Sequence, residues 1–242
     1  MVRRLCNPTP VWHAPATGAV PRRVFLGLAA YAAGGFAIAR AQGGITGTCV
    51  LTPDSGEGPF YFDPSLVRED VTDGQPGAPL ELRVQVVRAD DCATLEQARV
   101  DVWHADALGL YSGYERQSGV GGVATSAVVG KSFLRGTQFT DVEGRVAFRT
   151  IYPSWYGGRT PHVHFKIFLS GDEVVASQIF FPDDVNDRVF NEWEPYRQHV
   201  AKRVTRNADD TFLRDRVGGV FSQPEESGAG VSASVVIAVS EA

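Results

Sequence analysis

The chain has 242 residues, 43% hydrophobic and 21% charged, with 28 acidic side chains against 23 basic ones and a formal net charge of −5. An acidic surplus argues against nucleic acid or an anionic membrane as a partner. The length allows one substantial core or two small ones.

Residues 1–41 read as an export leader. The stretch before Arg22, with Pro8, Pro10 and Pro15, is expected to be disordered. Arg22 and Arg23 precede an apolar run over 24–39, which ends in Ala39-Arg40-Ala41, a small-x-small pattern suited to cleavage before Gln42. At about 16 residues the run is short for a bilayer-spanning helix, which needs roughly 20, although an uncleaved anchor is the alternative. The paired arginines followed by Val-Phe-Leu resemble a twin-arginine signal. Five basic residues and no acidic one lie in this leader, so the net charge of residues 42–242 becomes −10. Of three cysteines, Cys6 falls in the leader; Cys49 and Cys92 form an even pair in an exported chain and are expected to be disulfide-bonded. The bond would tie the start of the domain to the end of its first long strand.

Beyond the leader the pattern is strand and loop. "PLELRVQVV" (79–87) alternates apolar and polar residues as a half-buried strand does. Runs at 98–105, 132–140, 144–152, 161–169, 173–181 and 231–239 follow, punctuated by turn signals such as "DVEG" (141–144) and "SGDE" (170–173). Short strands at this spacing predict an all-β sandwich in a single domain over 42–242. Long loops at 107–131 and 153–160 interrupt it, and loops of that length in a compact domain usually carry function. One short helix is expected over 182–193, opening on Pro182 and two aspartates. Phe212 and Leu213 should bring the segment around them back against the sandwich.

"PHVHF" (161–165) carries the chemistry. Residues two apart on a strand share a face, so His162 and His164 project together while Val163 and Phe165 enter the core. Two imidazoles on one face suit a metal but do not name it. With Cys49 and Cys92 paired, no thiolate remains for a Cys/His zinc site. A third ligand from His104 or His199, or a carboxylate from Asp101, Asp106 or Asp141, stays open. So do two phenols, Tyr111 in "DALGLYSGY" and Tyr156 in "SWYGGR".

The runs "DVWHADALGLYSGY", "FLRGTQFTDVEGRVAFRTIYPSWYGGRTPHVHF" and "SQIFFPDD" resemble the intradiol ring-cleavage dioxygenases, closest to the protocatechuate dioxygenase branch and its secreted relatives. The likeness covers roughly residues 57–182. It implies a sandwich like that of transthyretin, and Fe(3+) held by Tyr111, Tyr156, His162 and His164, with Arg159 beside the ligands and Gln178 on the substrate side. It also implies cleavage of a catechol-type diol by O2 to a cis,cis-muconate, with Tyr111 staying bound and Tyr156 leaving to take a substrate proton. Arg159 would stabilise negative charge on the ring. The donor chemistry agrees: a phenol binds metal only as phenolate, which selects a strongly charged, hard cation.

Tyr114 reads as a pocket wall, Tyr152 as a strand residue, Trp103 and Trp155 as packing residues with Trp155 near enough to touch a substrate, and His104 as non-catalytic. Arg68 and Arg135 read as ordinary surface arginines, with binding of a substrate carboxylate as the alternative. The pocket walls should come from loops 57–70 and 107–131. The long helical segment of the catechol and hydroxyquinol branches is not expected ahead of the sandwich, which leaves the particular diol open. Two rival readings are a transthyretin-like binding module and an exported hydrolase using the two histidines and a carboxylate.

Overall fold

The computed structural model describes residues 49–58, 60–63, 65–117, 125–199, 203, 205–215 and 219–240. The leader and its cleavage point lie outside them, as does the middle of the 107–131 loop. Among the described residues nine strands form two sheets, four-stranded in the order β4-β1-β9-β8 and five-stranded in the order β3-β2-β5-β6-β7. The first contains β1 (Pro79–Arg88), β4 (Arg145–Ile151), β8 (Gln223–Ser227) and β9 (Gly230–Val239). The second contains β2 (Arg99–His104), β3 (Arg135–Phe139), β5 (His162–Leu169), β6 (Asp172–Phe180) and β7 (Val220–Phe221). Both are mixed, since β1 runs parallel to β9 and β6 parallel to β7.

The core between the sheets follows from alternation. Leu80, Leu82, Val84 and Val86 of β1, and Val231, Ala233, Val235, Ile237 and Val239 of β9, turn one face inward. Val163, Phe165 and Ile167 of β5 meet them from the other sheet. Each Val, Leu, Ile or Phe among them contributes about 1.5–3 kcal/mol by leaving water. The opposite face of β5, with His162, His164 and Lys166, is also buried, but under loops. A strand covered on both sides in this way can carry polar residues only where something satisfies them.

The turns behave as their residues require. "SGDE" closes β5 onto β6 with Ser170 and Gly171 both at positive φ (52° and 97°), as a two-residue hairpin turn demands. At 141–144 the Asp141 carboxylate accepts from the N–H groups of Glu143 and Arg145. The disulfide joins Cys49 to Cys92, just past β1, with Cα atoms 5.4 Å apart.

Three expectations change. Among the described residues there are two α-helices, not one: α1 (Asp183–Glu192) is the predicted helix, and α2 (Thr211–Asp215) is a single turn after Asp210. Asp210 caps it by accepting from the N–H groups of Phe212 and Leu213. The strand expected over 132–140 starts only at Arg135, because Leu134 turns at φ 56°. Strands β7 and β8 had no apolar alternation to announce them. β8 is an edge strand holding Pro224, Glu225 and Glu226 against β9, a composition that guards a sheet edge. Among the described residues no helix is long and apolar enough to cross a membrane.

Candidate active site

The outer face of β5 sets the origin of the site. Nδ1 of His162 lies 2.7 Å from the Thr160 carbonyl, which only accepts, so Nδ1 carries the proton and Nε2 presents a lone pair. Nε2 of His164 lies 3.1 Å from that lone pair. Cross-strand register puts Trp103 of β2 opposite His164, and the indole stacks on the imidazole with centroids 4.9 Å apart and planes 9° apart. Gly58 covers His164 from another side: a Cβ there would stand 3.0 Å from the ring, and its φ of +80° suits glycine. Lys166, next on the same face, holds Glu57 at 2.5 Å and lies 4.0 Å from the Tyr61 ring, tethering this loop over the strand.

Two loops deliver the phenols. After β2 the Asp106 carboxylate gathers the N–H groups of Leu108 and Leu110 into a tight turn. Gln117 then brackets Tyr111, accepting from its N–H and donating to its carbonyl, both at 2.7 Å. The Tyr111 ring stacks on Phe60 at 4.5 Å. A Cβ on Gly109 would meet the Trp155 carbonyl at 2.5 Å, so only glycine lets this loop close on the one that carries Tyr156. The result is convergence: the phenol oxygens of Tyr111 and Tyr156 lie 3.5 and 3.3 Å from Nε2 of His162. Relative exposures are 1% for Tyr111, 9% for Tyr156, 2% for His162 and 1% for His164.

These spacings fit a shared metal ion. Bonds of about 2.0–2.1 Å to nitrogen or oxygen, at about 90–120°, place neighbouring donors about 2.8–3.6 Å apart. Burial drives both imidazoles well below their ordinary range, with Arg159 adding to the effect, so they are neutral and suited to ligation. Burial also pushes both phenols up, Tyr111 most, and Arg159 only partly offsets this. A strongly charged cation is what would turn them into phenolates. Among the described residues no three His, Cys, Asp or Glu side chains cluster as a metal site, and the oxygens beside Nε2 of His162 are those of the two phenols.

Arg159 adjoins the four donors. It donates from Nη1 to the Tyr156 oxygen at 3.3 Å and from Nη2 to Oε1 of Gln178, which faces His164 across the β5–β6 register. Nε2 of Gln178 is buried and has no protein partner among the described residues.

The other candidates are committed elsewhere. His104 donates from Nδ1 to the Ala105 carbonyl and accepts from the Thr150 hydroxyl at 2.7 Å, and burial pushes it down to about 4. His199 stacks on Trp155 at 4.2 Å and bonds its carbonyl. Asp101 is held by Arg99, Tyr61 and Thr137, while Asp106 and Asp141 cap turns. Among the described residues no carboxylate therefore joins the histidines, which removes the support for a hydrolase triad. Trp155 packs on Phe190, Tyr152 donates to Asn186, and Tyr114 donates to the Tyr61 carbonyl while its ring meets Phe60.

Arg135 and Arg68 are corrections. Arg135 is 1% exposed and donates to the Ser112 hydroxyl and to the carbonyls of Ser112 and Phe60, with the Phe62 ring 4.3 Å away. Burial lowers its pKa to about 10, so it stays charged. Arg68 clamps the carbonyls of Ser132 and Arg135. Both fasten loops behind the site and neither is an ordinary surface residue. One residue was missed: Asp210, which accepts from Nε of Arg159 at 3.0 Å. "ADDTFL" signals a helix start, but nothing local signals an arginine 51 positions away.

A family model described as "Dioxygenase" matches residues 56–211, well over half of the chain. The intradiol ring-cleavage dioxygenase from Tetranychus urticae superposes with a TM-score of 0.71 at 27% identity, covering 79% of this chain and 95% of that one. The chain belongs to the intradiol ring-cleavage dioxygenase family. Among relatives, catechol 1,2-dioxygenase 2 of Acinetobacter lwoffii is 30% identical over 169 residues, 60% of this chain and 56% of that protein. The chlorocatechol 1,2-dioxygenase of Pseudomonas putida is 30% identical over 146 residues, 52% of each chain. The chain thus spans about half the length of the curated relatives it matches.

Proposed function

We propose that the protein is a ferric, non-haem dioxygenase that opens a catechol-type ring with O2 to a cis,cis-muconate-type product. The observation that carries this reading is the convergence of two buried phenol oxygens on Nε2 of His162, at 3.3 and 3.5 Å, with His164 beside it. Tyr111, Tyr156, His162 and His164 would hold the ion. Two phenolates and two neutral imidazoles match Fe(3+) better than zinc or Fe(2+), because the hard anionic oxygens answer its charge. When bound, the ferric ion supplies a Lewis-acid centre that chelates a deprotonated diol and makes its ring open to attack by O2.

The chain's own groups divide the remaining work. Tyr111, bracketed by Gln117 and stacked on Phe60, is the fixed phenol. Tyr156, on the 153–160 loop and bonded to Arg159, is placed to take one proton from the diol. Arg159 stabilises negative charge as it develops on the ring, the largest contribution in many active sites. Nε2 of Gln178 donates to the bound diol. Phe60 and Tyr114 wall the site, and burial of the cluster keeps bulk water out.

Export by the twin-arginine route is part of the proposal. Arg22, Arg23 and the apolar run support it, and the Cys49–Cys92 disulfide suits an oxidising compartment. With Arg22 and Arg23 replaced by lysine, the protein should stay in the cytoplasm; export at the wild-type level would overturn the route.

Turnover of catechol by iron-loaded protein under isotopically labelled O2 tests the function. The expected product is a muconate carrying both labelled atoms. Unchanged catechol after iron loading would leave a binding module, and product with one labelled atom would mean different chemistry.

A further inference from the structure

Arg159 is held more tightly than a loop arginine usually is. Its Nε lies 3.0 and 3.2 Å from the two carboxylate oxygens of Asp210, Nη1 reaches Tyr156, and Nη2 reaches Gln178. The Phe212 ring lies 4.5 Å from the guanidinium carbon. These partners use three of the five N–H donors, leaving one on each terminal nitrogen for a substrate.

Asp210 does more than balance a charge. Its side chain has 0% relative exposure, and a buried carboxylate is tolerated only when its lone pairs are filled. They are filled by Arg159, by the Thr160 N–H at 2.9 Å and by the N–H groups of Phe212 and Leu213. Thr160 is the residue whose carbonyl orients His162, and its hydroxyl is fastened to Asn207 at 2.7 Å. The segment 205–213 is therefore a strap whose one buried acid holds the guanidinium and the backbone beside the first histidine.

The geometry points to Asp210 as the positioning residue for Arg159, fixing the guanidinium between Tyr156 and Gln178 so that its two remaining donors are available to a bound substrate. The consequence for turnover rests on the dioxygenase reading; the contact itself does not. A carboxylate suits the task because it grips Nε, the one guanidinium nitrogen not needed at the substrate, and leaves both terminal nitrogens facing the site.

Two measurements on the full protein test this. In metal-free protein, the Nε–H resonance of Arg159, assigned by its loss in Arg159→Ala, should be shifted and slow to exchange with solvent. Asp210→Asn should remove that protection. In iron-loaded protein, Asp210→Asn should keep the visible ferric–phenolate band and lose about 100-fold in kcat with little change in KM, the penalty for a catalytic group misplaced by about 1 Å. The same substitution in an Arg159→Ala background should cost almost nothing further, because the residue acts through the guanidinium.

Asp210→Ser is the second variant, since serine still caps α2 and gives up the ion pair. An unaltered Nε–H resonance in Asp210→Asn, or an equal loss of kcat with and without Arg159, would overturn the assignment. Failure of both variants to fold or to take up iron would make the role structural and overturn it too. If the wild type has neither ferric band nor turnover, the dioxygenase reading fails and the resonance alone decides. Protection lost in the variant then still supports positioning, and protection unchanged refutes it.

Discussion

The Nε2 atoms of His162 and His164 face each other across 3.1 Å. The first offers a lone pair, because its ring has committed its proton to the Thr160 carbonyl. Two phenol oxygens complete the cluster, so the arrangement concentrates electron pairs in one buried place. A cation relieves that concentration. Ferric iron at 100 times its dissociation constant should stabilise the protein by about 2.7 kcal/mol. For a domain of this size that raises Tm by about 5–11 °C, readable by calorimetry against chelator-treated protein. An unchanged Tm would mean that the four donors do not share a metal.

The two phenols should not be equivalent. Tyr111 is bracketed on both backbone sides by Gln117, whereas Tyr156 sits on the 153–160 loop with its phenol bonded to Nη1 of Arg159. Tyr111→Phe should lose most of its bound iron. Tyr156→Phe should retain iron but lose about 100-fold or more in kcat, as expected when a group that moves a proton is removed. Iron per chain and kcat, measured on both variants, separate the roles. Wild-type turnover in Tyr156→Phe would remove it from the proton path.

His104 gives a pH signature apart from the ligands. Burial lowers its pKa from the ordinary 6.5 to about 4. The unfolded chain therefore binds a proton below about pH 6.5 that the folded chain refuses until about pH 4. Stability is full above that window and falls as the pH drops through it. The loss attributable to this one group is about 3 kcal/mol between pH 7 and pH 4. Urea unfolding of metal-free protein should show His104→Gln losing less over this range than the wild type. Parallel pH profiles would contradict the neutral, buried imidazole.

The disulfide should support the fold without serving the site. It closes a loop with a sequence separation of 43, and Cys49 packs beside Val87, Ala89 and Ala238, a cluster separate from the main core. Removing a bond of this kind costs about 2–4 kcal/mol, or roughly 5–15 °C in Tm. Cys92→Ser should show that loss and still turn over catechol at the wild-type rate at 25 °C. A large fall in kcat would tie the bond to the site instead.

Much of this was legible in the sequence, for identifiable reasons. Strand periodicity of two put His162 and His164 on one face and Val163 and Phe165 in the core, which the fold repeats. The phenols, Arg159 and Gln178 were reached through resemblance, since a lone tyrosine in a loop carries no local sign of ligation. What could not be read depends on contacts between distant segments. Asp210 meets Arg159 across 51 positions, and Trp103 meets His164 only through the register of β2 on β5. Arg135 looked like a surface residue because its partners, the Ser112 and Phe60 carbonyls and the Phe62 ring, come from two other loops. Strands β7 and β8 escaped notice because one is two residues long and the other is a charged edge with a proline.

The most direct test of the central claim is the visible spectrum of iron-loaded protein before and after catechol is added without oxygen. Phenolate bound to Fe(3+) gives a broad charge-transfer band that imidazole and carboxylate ligands do not. The account predicts a coloured protein whose band shifts on addition of catechol. Protein that takes up iron and stays colourless, or keeps its band unchanged with catechol, would contradict it.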